Sequence, residues 1–189
     1  MNVPPPPLPA ATSFVTLLGR ISTVLAVLGV LGALAQMLFA VLLPDTAVAQ
    51  VVAQPEAPTA VVWVLQHRSA LALAMLAMSL LFLAVSWGLL KRQEWGRLGF
   101  IALLLLGAAA NFAALLLVDP FFDGLHHMFP AQMLDSLEGQ QFIAQMRFNR
   151  NMAYASGLLG AVAIAALHGW IVWKLCTAAV RAEFRRDGT

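Results

Sequence analysis

An all-α fold, a four-helix transmembrane bundle, is predicted here from three observations. Of 189 residues, 61% are hydrophobic and 11% charged, with a mean hydropathy of +0.82. A soluble domain averages about 45–50% apolar and about 25% charged. Four stretches carry no charge: Ile21–Leu43, Ser69–Leu90, Leu98–Val118 and Asn151–Trp173, of 23, 22, 21 and 23 residues. About 20 apolar residues in a helix cover the hydrocarbon of a bilayer. None of the four shows the in-out alternation of a barrel strand, and in lipid a lone segment satisfies its backbone only as a helix.

Residues 1–20 form a Pro-rich tail whose opening MNVPPPPLPA lacks the amides a helix needs and reads as polyproline. The first span, 21–43, is followed by Ala47-Val48-Ala49, which resembles a signal-peptide cleavage site. Its 23 apolar residues exceed the roughly 7–15 of a signal-peptide core, so a retained anchor is expected. Residues 44–68 form a loop whose VVWVLQ prolongs the second span, 69–90, by about two turns. Residues 91–97, KRQEWGR, make a tight turn that forces the second and third spans to be antiparallel neighbours. The third span, 98–118, leads into the segment 119–150. There AQMLDSLEGQQFIAQMRFNR reads as amphipathic helix with a break at Gly139. The last span, 151–173, ends in a basic tail, 174–189.

Charge orients the threading. With both termini cytoplasmic, Arg20, Lys91, Arg92, Arg97, Lys174, Arg181, Arg185 and Arg186 lie inside, and Arg68, Arg147 and Arg150 outside. This is the positive-inside pattern. The expected setting is a bacterial inner membrane, with loops 44–68 and 119–150 forming a small extracytoplasmic cap.

The densest polar stretch is DPFFDGLHHMFP, residues 119–130. Asp119, Asp123, His126 and His127 are types that ligate zinc or copper, and Asp123 and His126 lie one helical turn apart. Against a metal site, no HExxH-like spacing is present, and Asp-Pro and Asp-Gly are ordinary turn formers. The capping-loop reading has the better support. Arg68, Arg147 and Arg150 read as loop salt bridges, or as an anion or lipid-headgroup site.

Inside the spans, Gln36, Asn111 and Ser156 share one depth and are placed to hydrogen-bond across helices. Gln36, Asn111 and Arg68 are candidate ligand contacts, as is His168 for a quinone, a haem or a proton. Bis-histidine haem is excluded by depth: His67 sits at the outer edge, and His168 is roughly 25 Å from it. Lone Cys176 excludes a CxxC redox pair or a cysteine metal cluster. A net charge of +2 with scattered basic residues excludes nucleic acid as a partner. Two function classes stand ahead of a third, an enzyme or transporter, for which the residues offer no positive evidence. One is a non-catalytic component of a membrane assembly, in a larger complex or self-associated. The other is a protein that binds a lipid, quinone or metal in the outer half of the bundle. No catalytic constellation supports an enzyme.

Overall fold

A computed structural model of the protein describes residues 14–54, 59–127, 129 and 136–185. The polyproline reading of the opening residues, and residues 130–135 of the second outer segment, fall outside them. The described chain is helical throughout: α1 (Phe14–Leu42), α2 (Asp45–Val52), α3 (Thr59–Gln66), α4 (Arg68–Leu90), α5 (Glu94–Ala113), a 3-10 turn (Ala114–Leu117), α6 (Val118–His127), α7 (Leu137–Leu175) and α8 (Ala178–Arg185). Four runs are long and apolar enough to cross a membrane: α1, α4, Glu94–His126 and α7.

These four pack as a row in chain order, α1 on α4, α4 on α5 and α5 on α7. The α1–α4 seam follows from small residues at heptad spacing. Gly19, Ala26, Ala33 and Ala40 are buried at intervals of seven on α1, and Ala72 and Ser86 are buried on α4. Lipid tails are as apolar as leucine, so little drives large side chains inward, and small ones let the backbones close up.

Large buried side chains collect at the end of the row that carries the KRQEWGR turn. Val15, Val85, Leu89, Phe100, Leu175, Val180 and Phe184 form one cluster there. The ring of Phe14 meets that of Trp170 edge-on at 5.7 Å, joining the first and last members of the row. Toward the opposite end the buried residues are mostly alanines: Ala33, Ala40, Ala72 and Ala161. The helices therefore form a row closed at one end rather than a bundle filled along its length.

The turn itself is a Schellman motif. Gln93 N–H donates to Gly88 C=O (2.9 Å) and Arg92 N–H to Leu89 C=O (3.0 Å). Arg92 occupies the left-handed position at φ 59°, where glycine is usual. Its side chain explains the exception, since it reaches Thr16 Oγ1 at 3.0 Å and Glu183 Oε2 at 3.0 Å. Both Arg92→Ala and Arg92→Gly lose that tether, but only alanine keeps the left-handed strain. The glycine variant should thus be the more stable of the two by about 1 kcal/mol, read as the difference in their unfolding midpoints.

Elsewhere the structure alters the expected boundaries. VVWVLQ, expected to prolong the second span, lies in a separate helix, α3, set off from α4 at His67 (φ −103°, ψ 13°). Gly139 does not break its helix. Ser136 caps α7, its Oγ accepting from Gly139 N–H at 3.0 Å, so the glycine sits in the first turn. From there α7 runs 39 residues without interruption, roughly 58 Å. The helix also continues through Asp119-Pro120 and Asp123-Gly124, both expected to turn. Pro120 falls in the first turn of α6, directly after the 3-10 turn Ala114–Leu117, the part of a helix in which proline is tolerated. The basic tail contains α8, which turns Val180 and Phe184 into the closed end.

Candidate functional site

Most of the polar groups that the sequence singled out are used to hold helices together. Arg68, at the start of α4, bonds three neighbouring segments. Nε donates to Ala40 C=O at the end of α1 (3.2 Å), and Nη1 to Leu65 C=O in α3 (3.3 Å). Nη2 pairs with Asp45 Oδ1 in the first turn of α2 at 2.5 Å. It occupies the role of a strut. His67 donates from Nδ1 to Trp63 C=O (2.9 Å) and stacks on that indole at 4.7 Å.

The layer of Gln36, Asn111 and Ser156 does not bond across helices. Asn111 Nδ2 donates to Gly107 C=O (2.7 Å) and Ser156 Oγ to Met152 C=O (2.7 Å), each four residues back on its own helix. A carbonyl already at helical reach satisfies a short polar side chain locally. Gln36 is exposed on α1.

The stretch 119–127 acquires its geometry from α6. Asp119, Asp123 and His126 recur at helical spacing, and α6 packs on the first turns of α7. Asp119 turns to Arg150 (Oδ1 to Nη1, 3.8 Å) and to the Tyr154 hydroxyl. Asp123 and His126 line a groove of about 230 Å³ with Phe122, Ile143, Met146, Arg147 and Arg150. The turn-apart spacing thus does bring Asp123 and His126 to one face, opposite two arginines rather than further ligands. Among the described residues no three His, Cys, Asp or Glu side chains converge on one point, and the His127 side chain lies outside them. The Asp119–Arg150 pair is half-exposed and long. Asp119→Asn is accordingly expected to shift the unfolding midpoint by the equivalent of less than about 1 kcal/mol, measured by thermal unfolding in detergent.

His168 is the candidate that bridges two long helices. Its Nδ1 stands 2.9 Å from Leu104 C=O on α5. A carbonyl only accepts, so Nδ1 carries the proton. The ring lies beside Gly107, whose position would place a Cβ 3.5 Å from His168 Cε1. A groove of about 430 Å³ opens there, walled by Met78 and Phe82 of α4, Leu103, Leu104, Leu106, Gly107 and Ala110 of α5, and His168.

Arg97 was legible only as one more inner charge, yet it is the most engaged arginine of the closed end. It is 6% exposed. It donates from Nη1 to Leu175 C=O (3.2 Å), pairs through Nε with Glu94 Oε2 (3.1 Å) and through Nη2 with Glu94 Oε1, and lies 5.9 Å over the Phe184 ring. One hint was available: Val180 and Phe184 are four apart, a large apolar pair on one face of the basic tail.

These features define a helical protein built on four helices able to cross a membrane, with the polar links among the described residues gathered at the ends and at His168. No known protein family matches the chain, and neither a curated protein nor a solved structure resembles it significantly.

Proposed function

We propose that this is a small non-catalytic component of a bacterial inner-membrane assembly, with both termini cytoplasmic and loops 44–68 and 119–150 on the outer face. The orientation rests on the arginines and lysines gathered at the closed end. The observation supporting the assembly role is the flank of α1 that carries Gly29, Gly32 and Gln36. All three are exposed, and an added Cβ at Gly32 would meet nothing within 4 Å. Gln36 has no hydrogen-bond partner among the described residues, and a carboxamide facing lipid gains from a partner helix. Small residues beside it allow that helix to approach.

The partner is a larger membrane complex or a second copy, in a setting of membrane lipid. The test is native mass spectrometry after extraction in mild detergent, on the wild type and on Gly32→Leu. The reading expects a stoichiometric assembly in the wild type and its loss in the variant, whose added Cβ meets nothing within 4 Å in the chain's own fold. A wild-type chain that emerges alone would contradict it.

A further inference from the structure

We propose that the groove beside His168 binds the hydroquinone head of a membrane isoprenoid quinol, and prefers it to the oxidised quinone. The argument begins with the tautomer. In the neutral ring, an imidazole that donates from Nδ1 carries its lone pair on Nε2. Leu104 C=O fixes that assignment at 2.9 Å. Nε2 has no hydrogen-bond partner among the described residues. An acceptor so placed, within segments that cross the membrane, calls for a ligand that donates a hydrogen bond.

The walls narrow the choice. Apart from His168 they are apolar, and their volume of about 430 Å³ falls within the usual range for small-molecule sites. Phe82, stacked on Phe100 at 6.0 Å, offers a ring face, and Met78 adds a polarisable sulfur. Gly107 and Ala110 leave space along α5. A flat aromatic diol fits these surfaces, and a side of the row left open to lipid gives its tail an exit.

Depth weighs against the hydroxyl of an ordinary glycerolipid. His168 lies five residues before the end of the last span, roughly 8 Å into it. A glycerol hydroxyl would have to be drawn that far from the interface, whereas a quinol head resides in the hydrocarbon. The quinone offers only carbonyl oxygens, which meet the Nε2 lone pair as acceptor against acceptor. One net hydrogen bond separates the two forms, about a fivefold difference in affinity. The inference does not depend on the assembly role.

The experiment measures binding to the full chain in lipid nanodiscs of three probes: a short-chain ubiquinol kept reduced, the same molecule oxidised, and dioleoylglycerol. The expected result is a quinol bound about fivefold more tightly than quinone, with dioleoylglycerol weaker than both. His168→Ala should erase the preference. Ala110→Phe fills the groove without touching the His168–Leu104 bond, and should abolish binding of both forms. It keeps the test decisive if the histidine variant does not fold. Equal affinity for the two redox forms, binding unchanged by Ala110→Phe, or dioleoylglycerol bound as tightly as the quinol would each overturn the proposal.

Discussion

Gly96→Ala is expected to destabilise this chain severely, its added methyl meeting backbone more closely than at Gly88, Gly99 or Gly157. A Cβ at position 96 would stand 2.3 Å from the Gly88 carbonyl carbon and 2.5 Å from the Leu89 nitrogen. Both are backbone atoms of α4, so no side chain can rotate away. The contact is reciprocal, since a Cβ on Gly88 would lie 3.1 Å from Gly96 Cα. Relief requires α5 to lift off α4 at the Schellman turn, which would also separate Leu89 and Phe100 in the buried cluster. Overpacking ordinarily costs about 1–3 kcal/mol. Backbone against backbone places this case at or above the top of that range. Gly160→Ala is the matched control, because nothing lies within 4 Å of its added methyl. On heating in detergent, the first variant should lose its monodisperse state well below the wild type, and the control should not. Equal midpoints for the two would mean that the helices do not touch as described.

Arg97→Leu is expected to release α8 from the closed end. Leucine restores apolar volume but leaves Leu175 C=O, at the last turn of α7, without its donor. It also removes the cation over Phe184. Hydrogen bonds from charged donors are worth about 1.5–3 kcal/mol, and the cation–π contact adds about 1. Glu94 contributes less, because it is half-exposed and water takes over its carboxylate. A loss of about 2–4 kcal/mol is therefore expected. Arg97→Lys should fall between, since one ammonium cannot serve the carbonyl and the carboxylate as a planar fork does. Limited trypsin digestion gives the direct reading. In the leucine variant, cleavage after Arg181 should accelerate, while the wild type stays protected. Equal rates would assign Arg97 a passive role.

What the sequence revealed and what it hid divide along a physical line. The four spans are a property of composition over twenty residues, and lipid imposes them whatever the neighbours. The antiparallel α4–α5 pair was likewise legible, because KRQEWGR is too short for any other connection. Helix ends were not, since they depend on three-dimensional partners. Asp119-Pro120 reads as a turn until a 3-10 segment places proline in the first turn of α6. Gly139 reads as a break until Ser136 caps that turn. The same holds for the polar groups. Depth along a helix aligned Gln36, Asn111 and Ser156, but rotation about each axis decides contact, and Asn111 and Ser156 found carbonyls at home. The spacing of Asp123 and His126 did predict a shared face, because both sit on one helix. Arg97 was hidden because its partners, Leu175 and Phe184, lie more than seventy-five residues away.

The threading of the chain carries the rest of the account, and its lone cysteine provides the probe. Cys176 is exposed between α7 and α8, at the end read as cytoplasmic, whereas Asp45 is exposed at the start of α2 at the other end. A membrane-impermeant maleimide is added to intact spheroplasts holding either the wild type or Asp45→Cys in a Cys176→Ser background. Label on the second chain but not the first, with Cys176 reacting only once the membrane is opened, is the predicted result. Label on Cys176 in sealed spheroplasts would contradict it.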